Sequence, residues 1–354
     1  MVNHFIESCQ GKKIGLVYDI PEELKNFESV VFPLDARGEW EDQKTIDTII
    51  ETWTLLGAEV ILFPLKESFL KQWSEQARSC TLIHSVVEAF GSLSREGWIA
   101  SLCELSGIPY IGSSPFAHSL CMSKSHLKQI CRALNIPTAP SYFLQTREEL
   151  LKLDKSVFKH PVFLKPNGEG SGMGIDASFS ICQTQKEAIE AGENLLQKYP
   201  EGIVLEKYLS GPEYTTAVLG TPEEFLPIAQ IEVDDGVYGA SNKGKDYMGE
   251  RVTFPTLPEN TQQMMKESSL KLCQQLWIYD FVRFDWKTDG EGTMYFLEAN
   301  TLAGLSYHYS VVPLMAKEAG YDYKKLFEIL YHSAMTRSQG RHLWYGKSRM
   351  HYTI

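Results

Sequence analysis

Arg283, Asp285, Glu298 and Asn300 sit among Val282, Phe284, Trp286, Tyr295, Phe296 and Leu297 in the stretch "VRFDWKTDGEGTMYFLEANT". Strand side chains alternate faces, so Arg283 and Asp285 share one face, as do Glu298 and Asn300. The link Asp289-Gly290-Glu291-Gly292 is a turn signal. A two-residue turn at Gly290-Glu291, or a four-residue loop over the same stretch, sets Arg283 opposite Glu298 and gathers the four groups on one face. Such a face could be merely solvated, with Arg283 and Glu298 as a cross-strand ion pair. Two acids and an amide amid aromatic residues also suit a hard divalent cation. Magnesium takes one or two carboxylates, with waters and substrate phosphates completing its shell. The pattern therefore asks for a phosphate-binding segment elsewhere.

"FLKPNGEGSGMGI", Phe163 to Ile175, answers that request. Lys165 closes an apolar strand, and Gly168, Gly170, Gly172 and Gly174 then alternate with other residues. Glycines let backbone N–H groups approach an anion closely. The spacing is neither a Walker A loop nor a Rossmann fingerprint. A flexible loop over phosphates, with Lys165 as neighbouring charge, fits better. Lys124 in "CMSKSHLKQ" adds a helical lysine. "VLEKYLSGPEYT" places Glu206 at the end of an apolar strand, where backbone groups could meet a planar base, and Glu213 where it could meet a ribose.

The elements that must position these groups alternate in type. "KKIGLVYDI", "AEVILFPL" and "TLIHSVV" read as buried strands, with "QKTIDTIIETWTLLG" and "WIASLCELSG" as helices and "IPYIGS" as a further short strand. This predicts a parallel sheet over about the first 113 residues. One helix "PFAHSLCMSKSHLKQICRALN" leads to strands "IPTAPSYFL", "HPVFLKPN" and "SFSICQT" and the helix "KEAIEAGENLLQKY". Strands "IVLEKYL", "EYTTAVLG" and "FLPIAQIEV", a helix at 260–278, the polar hairpin and the helix "YKKLFEILYHSAMT" follow. The tail 338–354 carries Trp344, Tyr345 and Tyr352 among basic residues and reads as either a free end or a docking segment.

The 354-residue chain has a net charge of −11 and a pI of about 5.4, which argues against nucleic acid as a partner. No apolar run reaches the roughly 18 residues of a membrane span. The start lacks a signal-peptide core. Seven scattered cysteines without a C-x-x-C pair suit reduced thiols in the cytoplasm.

In order, the Lys124 helix, "FLKPNGEGSGMGI", "VLEKYLSGPEYT" and "RFD…FLEANTLAG" resemble the ATP-grasp superfamily, and within it the D-alanine–D-alanine ligase family. "LCELSGIPYIGSSPFAHSLCMSK" and "FLEANTLAGLSYH…VPLMAKEAG" are the most specific stretches. The resemblance implies an α/β chain in three lobes: an N-terminal parallel-sheet domain (1–113), a central subdomain with the glycine-rich loop (114–206) and a C-terminal subdomain with metal site and tail (207–354). It implies ATP with magnesium, as two ions, manganese being a substitute. Lys124 and Lys165 match phosphate contacts, Glu206 and Leu209 the adenine edge, Glu213 the ribose, and Asp285, Glu298 and Asn300 the metal ligands. Arg283 and the Gly304 N–H match the oxyanion donors, Ser171 a serine that closes the site, and Lys245, with Lys243 beside it, a lysine on a mobile loop.

Such a ligase phosphorylates one carboxylate with ATP and lets a second amine attack the acyl phosphate. Its substrates are small amino acids or dipeptides, and a homodimer is compatible with it. D-Ala–D-Ala ligation for the cell wall and a nucleotide-binding regulator without turnover are the alternatives. Departures concern substrate. "GLVYDIPEELKNF" lacks the glycines and the glutamate that hold the first ammonium in relatives joining D-alanine. The family's H-G-x-x-G-E-D-G becomes "HSVVEAFGSLSREG", with Arg95-Glu96 for the acidic pair. Ala303 replaces the proline before Gly304, and one residue is inserted between His308 and Pro313.

Overall fold

A computed structural model describes residues 8–20, 40–232 and 251–344, the side chains of 340–344 excepted. Strands β1 (Lys13–Tyr18), β2 (Glu59–Pro64) and β3 (Leu82–Val86) form a parallel sheet in the order β2-β1-β3. Helix Gln43–Leu55 starts where Asp42 accepts a hydrogen bond from the Thr45 N–H at 2.8 Å. Its buried residues Ile46, Ile49 and Trp53 recur at helical spacing. Trp53 meets Phe327 of helix Tyr323–Trp344 at 5.1 Å between rings, so that helix packs onto the first sheet's helix. The strand expected at "IPYIGS" shrinks to a single parallel bridge between Ile83 and Tyr110. Its neighbour Pro109 has no N–H to give and contributes only its carbonyl, to Ile83.

The second sheet is antiparallel: β4 (Ser141–Leu144), β5 (Val162–Pro166), β6 (Ile181–Cys182) and β7 (Ile203–Lys207) in the order β4-β7-β5-β6. "SFSICQT" departs from expectation. Asp176 caps the short helix Ala177–Ser180, which leaves only two residues for the strand. The predicted helix from Pro115 also divides. Ser123 adopts extended backbone (φ −90°, ψ 96°), so helix Pro115–Met122 ends there and Lys124 opens a second helix, Lys124–Ala133.

The third sheet contains β8 (Glu213–Leu219), β9 (Glu224–Phe225), β10 (Ala229–Glu232), β11 (Arg251–Thr253), β12 (Phe281–Thr288) and β13 (Met294–Asn300). Its order is β11-β10-β8-β12-β13, with β9 on β8. Phe284, Trp286 and Phe296 bury their rings against Leu127, Cys131 and Met265, giving the hairpin the apolar back that its alternation required.

The hairpin register corrects the expected one. Asp289 Oδ1 accepts from the N–H groups of Glu291 and Thr293, so the loop runs from Asp289 to Thr293 rather than over two or four residues. Near the turn Trp286 faces Phe296; beyond a β-bulge Asp285 faces Glu298 and Arg283 faces Asn300. Continued without the bulge, the pairing nearer the turn would set Asp285 against Leu297. The extra residue is what brings acid opposite acid.

Candidate active site

Lys124, Lys165, Glu206, Leu209, Glu213, Asp285 and Glu298 line one cleft of about 700 Å³ between the second and third sheets, part of it open to solvent. Seven of the twelve residues singled out in the sequence thus meet in one place. Three more adjoin them. Arg283 grips Asp285 with two hydrogen bonds, Nε to Oδ1 at 3.0 Å and an Nη to Oδ2 at 2.9 Å. Asn300 Nδ2 donates to the same Oδ2 at 2.7 Å. Ser171 stands between the lining residues Gly170 and Gly172 with a left-handed φ of 53°. Lys243 and Lys245 lie outside the described residues.

Gly304 lies four residues beyond β13, beside Ser310 and Glu41. A Cβ placed there would come 2.7 Å from Ser310 Oγ and 3.5 Å from Glu41 Oε1, so a side chain there would have to displace the Ser310 hydroxyl. Glu41 was not apparent in the sequence, being far from every motif. Its Oε2 accepts from the Tyr309 hydroxyl at 2.7 Å. Asp19, the acid that does follow β1, is wholly buried and accepts from the Glu88 and Ala89 N–H groups, which fixes the loop after β3 instead.

Two networks set the charge. In the first, Glu206 lies 2.8 Å from Lys165 and 2.7 Å from Lys128, all three enclosed. Burial alone would raise the Glu206 carboxyl, but the two ammonium groups outweigh it and hold it at about 2. Burial pushes Lys128 down against the attraction of Glu206. Lys165 ends above its usual value because Glu206 and Glu298 overcome burial. Glu206 therefore spends its carboxylate on the two lysines, which leaves the backbone groups of its strand end to meet an adenine edge. Lys128, one turn after Lys124 on the same helix, was missed because a helical lysine reads as solvated.

In the second network Lys124 Nζ lies 3.2 Å from Glu298. Glu298 is held at about 2: burial would raise it, and Lys124, Lys165 and Arg283 prevail. Thr215 donates to Asp285 Oδ1 at 2.7 Å. Lys287 reaches Glu213 at 3.2 Å, yet Glu213 stays raised, chiefly by burial. Directly opposed carboxylates repel, so the Asp285–Glu298 pairing makes sense where positive charge is supplied. With Asn300 beside them, the donors are all hard oxygens, which fits magnesium. Among the described residues no group of three or more His, Cys, Asp or Glu is placed to hold a metal ion.

Three sheets, a glycine-rich loop and paired carboxylates facing two lysines define an ATP-grasp ligase. The comparisons agree. The profile for the D-Ala D-Ala ligase C-terminus matches residues 130–332. The D-alanine–D-alanine ligase of Aquifex aeolicus (strain VF5) is 31% identical over 240 residues, 68% of this chain and 78% of that protein. That of Thermotoga petrophila is 29% identical over 81% of this chain and 90% of its own length. In structure, the D-alanine–D-alanine ligase from Bacillus anthracis complexed with ATP superposes at a TM-score of 0.73 with 21% identity, covering 94% of this chain and all of that one. VanG D-Ala:D-Ser ligase from Enterococcus faecalis superposes at 0.66 with 18% identity, over 92% of this chain and all of its own. The chain belongs to the D-alanine–D-alanine ligase family. No helix among the described residues is long and apolar enough to cross a membrane.

Proposed function

We propose that this ligase joins two small amino acids, or an amino acid and a dipeptide, through an acyl phosphate, releasing ADP and phosphate. The observation that carries this reading is the Lys124–Glu298 contact, which seats a phosphate-seeking lysine directly on the metal-binding face of the hairpin. Lys124 and Lys165 take the ATP phosphates. Leu209 lines the adenine side, and Glu213 meets the ribose. Asp285, Glu298 and Asn300 hold magnesium, which neutralises charge on the transferring phosphoryl group.

A carboxylate oxygen of the first substrate attacks the γ-phosphorus and ADP leaves. The amine of the second then attacks the acyl carbonyl, and phosphate departs. Arg283 and the Gly304 N–H receive the oxyanion of that step. Glu41, beside Gly304, is the acid placed to hold the first ammonium, in place of the one missing after β1. Ser171, with Lys245 on residues outside those described, closes the site against water. The lobes 1–113, 114–206 and 207–354 follow the three sheets, with helices 115–133 leaning onto the third.

D-alanine is the first amino acid to try, because the relatives named above act on it. The altered "HSVVEAFGSLSREG" segment is the reason to test beyond it. A panel of D- and L-amino acids, assayed for ADP release with mass spectrometry of products, identifies the pair. ADP release that no amino acid stimulates would refute the ligase reading.

A further inference from the structure

Arg95 takes part in none of the steps above, yet it is among the most deeply enclosed charges in the protein. Its side chain is 1% exposed and lies 3.0 Å from Glu169 Oε2, itself 4% exposed. A second Arg95 hydrogen bond runs to the Gly168 carbonyl at 3.1 Å. The contact joins the loop after β3 to the glycine-rich loop, 74 residues away in sequence. Leu93 seals it: a Cβ on Gly168 would come 2.3 Å from Leu93 Cδ2. One segment of the N-terminal lobe therefore packs against residues 168–169 with an apolar side chain and a guanidinium together.

The other side of the same tripeptide faces Lys124. The Glu169 carbonyl accepts from Lys124 Nζ. The Asn167 carbonyl and Oδ1 accept from the N–H groups of Lys124 and Ser125, at 3.1 and 2.9 Å. Asn167 Nδ2 donates to Ser123. Asn167–Glu169 thus forms a fixed base to the glycine-rich loop, held between Arg95 and the start of helix Lys124–Ala133. Gly170–Gly174 forms its less buried tip.

We propose that Arg95 is a positioning residue for phosphoryl transfer: from the N-terminal lobe it fixes Glu169, and through the Glu169 carbonyl it sets where Lys124 Nζ points. An ammonium aimed at a developing phosphoryl charge is effective only while it is held in place. The proposal rests on Lys124 being a phosphate lysine, and the experiment separates the two.

The full-length chain is assayed for ADP release with ATP, magnesium and the amino-acid pair found by the panel. Lys124→Met is expected to lower kcat by about 10²-fold or more. Arg95→Met should lower kcat about 10- to 10²-fold with the KM for ATP within about threefold of wild type. Glu169→Gln, which keeps the loop's shape and removes only charge, should reproduce that pattern if Arg95→Met fails to fold. In a Lys124→Met background, Arg95→Met or Glu169→Gln should change kcat by less than about twofold, because the effect already runs through Lys124. Arg95→Lys, able to keep one of the two contacts, should fall between. Wild-type kcat in Arg95→Met and Glu169→Gln alongside a crippled Lys124→Met makes the contact a fastener and overturns the proposal. Losses that multiply in the double variants also overturn it. A Lys124→Met enzyme with unchanged kcat refutes instead the phosphate role of Lys124.

Discussion

The Lys128–Glu206–Lys165 cluster and the Arg283–Asp285–Asn300–Glu298 face border the same cleft and are built from the same kinds of group, but in opposite ways. The first is enclosed, with its single carboxylate between two ammonium groups. The second sits at the cleft wall, where Asp285 and Glu298 oppose each other across two strands and borrow cations from Arg283 and Lys124. An enclosed, mutually compensated cluster holds a lysine in place whatever arrives. The second pair is compensated by groups at the cleft itself: Arg283, Asn300 and Thr215 on Asp285, and Lys124 on Glu298. The expected consequence is that the first cluster matters more to stability and the second more to turnover.

Substitution should separate the two. Asp285→Asn or Glu298→Gln is expected to abolish magnesium-dependent ADP release, a loss of more than about 10³-fold, while the chain still folds, with a modest fall in melting temperature for Glu298→Gln because the cations that hold Glu298 at about 2 lose their partner. Unchanged turnover in either variant would return the hairpin face to a structural part. Glu206→Gln should do the reverse at first sight: removing the shared partner of two buried lysines costs about 3–5 kcal/mol. Chemical denaturation measures it, and a loss below about 1 kcal/mol would show that water reaches the cluster.

Arg283→Lys sharpens the contrast within the open face. If Arg283 only braced Asp285, losing its two-point grip to lysine would loosen a metal ligand and weaken the binding of ATP with magnesium. If it receives the oxyanion, the planar fork matters, and ligation should fall about 10²–10³-fold, or roughly 2.7–4 kcal/mol. ATP binding, measured by titration calorimetry, should change little. The smallest effect is one of pH. Glu206 is held at about 2 against an ordinary 4.5. A depressed carboxyl contributes its full stability above pH 4.5 and loses it as pH falls toward about 2, amounting to about 3 kcal/mol at most. Unfolding free energies of the wild type and Glu206→Gln should therefore converge over that window. Parallel curves would place the acid-sensitive groups elsewhere.

Much of the site was legible because its signals are local. Strand alternation put Arg283 and Asp285 on one face, and alternate glycines marked a loop where backbone approaches an anion. Lys165 at a strand end and Glu213 at a strand start were readable for the same reason. The helix break at Ser123 was not: nothing in "CMSKSH" interrupts helical spacing. The extended turn is supported by Asn167, which caps the second helix from 42 residues away. Glu41 was invisible too, because its partner Tyr309 lies 268 residues on.

By itself, then, the sequence determined which residue types face the cleft, since the period of a strand and the freedom of glycine are properties of neighbouring residues. Only the tertiary structure decided which of them meet. A single-residue bulge, invisible to alternation, sets Asp285 against Glu298 rather than Leu297. The Glu206 carboxylate sits between two lysines because helix Lys124–Ala133 brings Lys128 within 2.7 Å and β5 brings Lys165 within 2.8 Å. Arg95, read as a substrate-side departure, went instead to the glycine-rich loop. Glu206 and Arg95 each settled on the nearest compensating group. Which group is nearest depends on the packing of segments far apart in the chain.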